Sequence, residues 1–243
     1  MTTWQHFLEG VDARLQSLKA ASCPDPFFRG HAVRTWMLEP GLARQQRLNP
    51  LFNQNKEARL YWSFRMRGSH LLPPDASEWT VLYYMQHFGI PTRLLDWTTT
   101  FATALFFALA PDTESPCIWI LDPYELNLHT QGSRSMSNMN VSFKLDYVQF
   151  MELRGKPHGA LASEGDTSIE RIHSQGGAFT IHGDLATPIE QSCPAAVTCH
   201  ELPKAAIPDA RNFLELAGAH EFSIYPDLAG LSRYINRKEL GVL

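Results

Sequence analysis

The chain has no surplus of positive charge. Its 21 Lys and Arg are outnumbered by 25 Asp and Glu, a net charge of −4 over 243 residues. That argues against a broad nucleic-acid surface, and Arg59, Arg65 and Arg67 read as a solvated helix face. Cysteine is scarce. The four thiols, Cys23, Cys117, Cys193 and Cys199, form no Cys-x-x-Cys pair, and the simplest expectation is a reduced, cytoplasmic protein. Ten histidines are present, yet none pair at His-x-x-x-His spacing on a helix with a third ligand nearby, so no metal centre is expected. The phosphate loop Gly-x-x-x-x-Gly-Lys, the dinucleotide fingerprint Gly-x-Gly-x-x-Gly and the nucleophile elbow Gly-x-Ser-x-Gly are all missing. No apolar run approaches the ~20 residues of a membrane span, and the first residues carry neither the basic nor the apolar region of a secretory leader. Repeats and low-complexity tracts are also absent.

What is present suits a folded domain: 44% hydrophobic and 19% charged residues support a sizeable core. Thr2 and Gln5 form a capping box for a first helix, whose stripe is Trp4, Phe7, Leu8, Val11, Leu15 and Leu18. Residues 1–21 are expected as a helical extension and 22–243 as the main domain. Phe27 to His31 reads as a short strand, with Arg29 and His31 on one face and Phe28 and Gly30 on the other. A helix should follow Asn49-Pro50 and run to about Arg67. Ser77 should start another over Glu78 to Phe88, ended by Gly89. Thr92 to Trp97 reads as a strand, and Thr98 to Thr100 as hydroxyl caps for a buried helix from Phe101 to Ala110.

Beyond it, Cys117 to Leu121 suits a covered strand, with Cys117 a core thiol. Alternation marks strands at Val141, Phe143, Leu145 and Tyr147, at Phe179 and Ile181, and at Val197 and Cys199. Helices are expected from Asp209 to Ala217 and after Pro226-Asp227, the last carrying Leu228, Leu231 and Ile235. Gly132 to Asn140 reads as a mobile loop. The fold class is α+β, a helical N-terminal half around a strand-rich C-terminal half.

The chemistry concentrates in His87-Phe88-Gly89-Ile90-Pro91-Thr92-Arg93-Leu94-Leu95-Asp96-Trp97. An arginine beside a glycine, Arg29-Gly30, suits phosphate recognition, because the guanidinium fork donates two parallel hydrogen bonds and glycine lets backbone approach a ligand. The competing reading pairs Arg29 with a buried carboxylate such as Asp96. His87, at a helix C-terminus, is either a cap or an acid–base group. Alternation sets Thr92 and Asp96 on one strand face and Arg93 on the other. A ligand pocket lined by Arg29, His31, His87 and Thr98 is expected.

Phe28-Arg29-Gly30-His31, Trp36 to Arg44, Met85 to Thr98 and Ala102 to Ala108 together resemble the FRG domain family, whose signature is Phe-Arg-Gly. Arg171-Ile172 with Gln175, Gly177 and Phe179, and Tyr225 to Leu231, resemble its later elements, so the likeness extends over most of the chain beyond the first helix. The order of segments is also similar to the ADP-ribosyltransferase fold, which implies a split sheet.

On that likeness Arg29 holds the NAD pyrophosphate and ribose, Thr98 steadies the nicotinamide ribose, and Gln175 stands where a catalytic glutamate belongs. Glutamine brings no negative charge to an oxocarbenium-like transition state. Glu164, Asp166, Glu170, Glu221 or Asp227 would have to supply it. The resemblance implies Arg29, His87, Thr98 and Gln175 as catalytic groups. It implies Arg29, Gly30, His31, Thr92, Arg93, Asp96 and Thr98 as the NAD-binding set. The implied activity is ADP-ribose transfer to a macromolecular acceptor or NAD hydrolysis, in a toxin or anti-phage effector. A non-catalytic module recognising a nucleotide or protein in the same pocket is the alternative. A scaffold in which Arg29 and Asp96 are purely structural is a third reading.

Overall fold

The computed structural model describes residues 2–49, 51, 54–110, 113–138, 146–152, 159–165 and 174–241. Helix α1 spans Thr3–Ala20 and opens on the expected capping box of Thr2 and Gln5. Strand β1 is Phe27–His31. Helices α2 (Gly41–Leu48), α3 (Gln54–Arg67) and α4 (Glu78–His87) lead to strand β2 (Leu94–Thr98) and helix α5 (Phe101–Ala108). Strand β3 (Cys117–Leu121), helix α6 (Pro123–Gln131), the two-residue β4 (Ser137–Asn138), helix α7 (Tyr147–Glu152), and strands β5 (Ala160–Glu164) and β6 (Gly177–His182) follow. The chain then passes through α8 (Ile189–Ser192), strand β7 (Val197–Glu201), α9 (Ile207–Leu216), α10 (Glu221–Ile224) and α11 (Leu228–Leu240).

The strands build one seven-stranded sheet in the order β4-β5-β6-β2-β1-β3-β7. Six are antiparallel, and β4 joins β5 in parallel. The α+β class stands. Helices are nonetheless distributed through both halves, since α6 to α11 all lie beyond Leu121.

Alternation along β1 sets the layers. Phe28 and Gly30 face α5. A Cβ on Gly30 would lie 1.8 Å from the Ala104 carbonyl oxygen, so the glycine is needed for helix–strand contact. Here α1, α5 and α9 bury Phe7, Val11, Leu18, Ala104 and Leu214 against Phe28, Ile118 and Ile120. The first helix is thus docked into the core. On the same face, farther along, α3, α4 and α7 enclose Tyr61, Trp79, Tyr83, Tyr147 and Phe150 with Leu94, Phe179 and Ile181. The opposite face carries Phe27, Leu95, Trp97, Leu121 and Ala178 under Leu126 of α6, Ile189 of α8 and Leu38.

Several expectations need correction. Tyr147 begins a helix, not a strand end; its ring meets Tyr61 and Trp79 at 5.3 and 5.4 Å. Val141, Phe143 and Leu145 lie outside the described residues, as does part of the Gly132 to Asn140 loop. β2 starts at Leu94, so Thr92 precedes the strand. Thr100 is the N-cap of α5 without a side-chain hydrogen bond; the Thr98 hydroxyl accepts its N–H instead. On α11, Leu228 and Ile235 are 84% and 46% exposed, so that apolar stripe is not core. Cys117 is fully buried, as a core thiol should be. Among the described residues no helix is long and apolar enough to cross a membrane, and no His, Cys, Asp and Glu cluster is arranged to hold a metal.

Candidate functional site

The sheet is weakest between β1 and β2. They share one register pair, Phe28 with Thr98, whereas β1 pairs with β3 over five residues. Beyond Phe28 and Thr98 the two strands part, and the Arg29 side chain bridges the gap. Its Nη1 donates to the Asp96 backbone oxygen at 2.5 Å, and its Nε donates to His31 Nε2 at 2.9 Å. Nη2 has no partner among the described residues.

Because His31 Nε2 accepts from Arg29, the neutral imidazole carries its proton on Nδ1. That Nδ1 is buried and makes no hydrogen bond among the described residues, although the Trp36 backbone lies close enough to favour the charged ring. Burial and the Arg29 charge hold His31 down to about 3, with Arg44 adding to the effect. Burial also lowers Arg29 to about 10; the Asp96 carboxylate opposes this and Arg44 reinforces it. Arg29 keeps part of its surface open, so its guanidinium is withdrawn from bulk water without being sealed off.

Neighbouring elements complete the surroundings. Trp36, 54% exposed, stands with its ring centroid 6.0 Å from His31. Arg44 projects from α2 and donates to the Glu39 carbonyl at 2.8 Å. α2 is itself moored by Leu42 N–H to the Thr92 carbonyl, 2.9 Å. Nothing in the local pattern around Arg44 distinguished it from other helix arginines. Its role becomes visible only through its effect on Arg29 and His31.

The other expected site residues have different roles. Arg93 is 3% exposed. It forms a bidentate pair with Glu57, at 2.5 and 2.7 Å, and donates to the His182 and Gly183 carbonyls at 3.0 and 2.9 Å. Tyr147 adds a 2.8 Å hydrogen bond to Glu57. Four of the five N–H donors of Arg93 are thereby committed within the protein. Thr92 is a brace: its hydroxyl donates to Gln86 Oε1 at 2.6 Å and accepts Leu94 N–H at 3.0 Å. Gln86 in turn donates to the Asp96 carboxylate at 2.7 Å, whereas the Arg29 fork takes the Asp96 backbone oxygen. Gly30 serves α5, not a ligand. His87 is half-buried at the end of α4, edge-on to Phe88 at 4.6 Å.

Thr98 and Gln175 do meet, but through backbone: the Thr98 hydroxyl donates to the Gln175 carbonyl at 2.6 Å. The Gln175 amide donates to the Ile224 carbonyl at 3.0 Å, at the end of α10. The next residue, Tyr225, contacts Phe106 and Phe107 of α5. The Gln175 side chain is thus tied to the α5 side of the sheet, while Arg29 lies with Phe27 and His31 on the other. The two do not face one cavity as expected.

Of the acids considered as substitutes, two are committed elsewhere and a third is exposed at a strand end. Glu221 pairs with Arg237 at 2.9 Å, Asp227 caps α11, and Glu164 ends β5. Asp166 and Glu170 lie outside the described residues, as do Arg171 and Ile172.

A family model, that of the FRG domain, matches residues 25–116. That span holds Arg29, His31, Arg44, His87, Arg93, Asp96 and Thr98. The resemblances suggested around Gln175 and Tyr225 fall outside it. No curated protein and no solved structure matches the chain.

Proposed function

We propose that the FRG domain carried by residues 25–116 is a nucleotide-recognising module, with Arg29 as the anion anchor and NAD as the ligand to test first. The observation that carries this reading is the half-used Arg29 fork beside a buried, neutral His31 whose Nδ1 makes no hydrogen bond among the described residues. Arg29 Nη2 and Arg44 supply positive charge for a pyrophosphate, and His31 Nδ1–H a further donor. Exposed Trp36 offers a ring on which a base or nicotinamide stacks.

Binding without turnover is the favoured form, because the Gln175 amide is engaged with Ile224 and brings no charge to Arg29. The catalytic form, ADP-ribose transfer or NAD hydrolysis, has one observation in its favour: the Asp96 carboxylate acts on Arg29 electrostatically and is exposed. NAD consumption would suit a toxin or anti-phage effector.

Calorimetric titration with NAD, ADP-ribose and inorganic pyrophosphate tests the reading. Arg29→Lys retains the charge but loses the planar fork, and should weaken NAD binding by ~1–3 kcal/mol, about 5- to 150-fold. Absence of binding by all three at millimolar concentration refutes it. Nicotinamide release by wild type, abolished in Asp96→Asn, would select the catalytic form.

A further inference from the structure

On the α5 side of the sheet, away from Arg29, a cavity of about 510 Å³ opens between α5 and the C-terminal helices. Its size falls within the ~300–1,000 Å³ of small-molecule sites. Phe106, Phe107 and Leu109 of α5 and Leu214 of α9 line it with apolar surface. Tyr225 stands edge-on to both phenylalanines, with centroids 6.5 and 6.2 Å away, so the aromatic wall is fixed in orientation.

The charges around this apolar interior are unbalanced. Arg237 is neutralised by Glu221, with Nε 2.9 and 3.1 Å from its two carboxylate oxygens. Arg233 is held by a ring instead of a carboxylate: its guanidinium lies 4.9 Å from the Tyr225 centroid. A cation stacked in this way keeps its in-plane N–H groups directed outward. Arg211 lines the same cavity, one helical turn from Glu215, and no ion pair joins it to a carboxylate among the described residues. Both Arg211 and Arg233 are exposed. With Glu215 counted against them, the lining carries one uncompensated positive charge.

We propose that this cavity binds an amphipathic carboxylate, a molecule with an aliphatic or aromatic body and one anionic head. The body would replace water along Phe106, Phe107 and Leu214, and the head would sit between Arg211 and Arg233. Apolar burial supplies the affinity, and the arginine pair selects the sign of the head group. A neutral or cationic amphiphile of equal length gains the first term without the second.

The test uses the whole chain with decanoate and decyltrimethylammonium, each below its micelle concentration. Backbone amide shifts are followed by NMR, with sedimentation in parallel. Decanoate should shift amides of α5, α9 and α11 with saturation below about 1 mM, and the cationic amphiphile should bind at least tenfold more weakly. Arg211→Gln/Arg233→Gln should weaken decanoate at least tenfold; both residues are exposed, so folding is not at stake. Ala219→Phe should fill part of the cavity and compete with the ligand. Equal binding of the two amphiphiles overturns the proposal, as does decanoate binding indifferent to the arginines, or no shifts at 1 mM. Concentration-dependent dimerisation that buries the cavity and excludes decanoate would assign it to a second copy of the chain and equally overturn it.

Discussion

Replacing Glu57 by leucine asks whether Arg93 is an architectural residue. The Arg93 and Glu57 side chains are 3% and 5% exposed, and the carboxylate also accepts from Tyr147. Two charges ~4 Å apart at an effective dielectric of ~20 attract by about 4 kcal/mol. Removing one partner leaves the other charge buried alone, which destabilises by ~3–5 kcal/mol. The lost Tyr147 hydrogen bond adds about 1 kcal/mol. Against a total stability of ~5–15 kcal/mol this is a large share. With a urea slope of ~3 kcal/mol/M, the midpoint of Glu57→Leu should fall by more than about 1 M.

Tyr147→Phe should lower stability by only ~1 kcal/mol. Glu57→Leu/Arg93→Met removes both charges and should be less destabilised than the sum of the two single variants. Urea unfolding followed by tryptophan fluorescence gives all four values. A Glu57→Leu loss below about 1 kcal/mol would refute the reasoning, as would strict additivity in the double variant.

Three further outcomes follow from particular contacts. Gly30→Ala places a Cβ 1.8 Å from the Ala104 oxygen; α5 must move, and thermal unfolding should show a loss of about 3 kcal/mol or more. His31 and His182 are both held down to about 3 in the folded protein, His182 by burial and the Arg93 charge, against an ordinary 6.5. The unfolded chain therefore binds more protons below 6.5. Stability is full above that pH and should fall on acidification towards 3 by about 1.4 kcal/mol per pH unit for each histidine. His31→Gln should flatten that slope in urea titrations between pH 4 and 6.5, and an unchanged slope would contradict the assigned burial. Asp227→Ala removes the cap on Gly230 N–H, a 2.6 Å contact, and should reduce stability by ~1 kcal/mol, seen as faster amide exchange in the first turn of α11.

The site was legible only in part. Arg29 and His31 on one face of a five-residue strand follow from alternation, and a 2.9 Å hydrogen bond joins them. The cap at Ser77 and the end of α4 near Gly89 follow from turn chemistry within a few residues. Arg93 looked like a ligand-binding group because its own neighbourhood does not contain its partner. Glu57 lies 36 positions away. Gln175 could be placed before the Phe179 strand, but its amide is directed by Ile224, 49 positions on.

Elements with local causes could be read from the order of residues alone: the capping box of α1, the strand β1, the apolar helix α5 and the covered strand β3. Periodicity and caps act over one turn or one strand, so a few adjacent residues suffice to specify them. Long-range packing set the sheet order, the single-pair join between β1 and β2, and the gathering of Arg29, His31, Trp36 and Arg44. It likewise decided that Arg93 and Thr92 are braces. Those outcomes depend on which distant donor meets which acceptor, and the need to satisfy each buried polar group selects that partner across the whole fold.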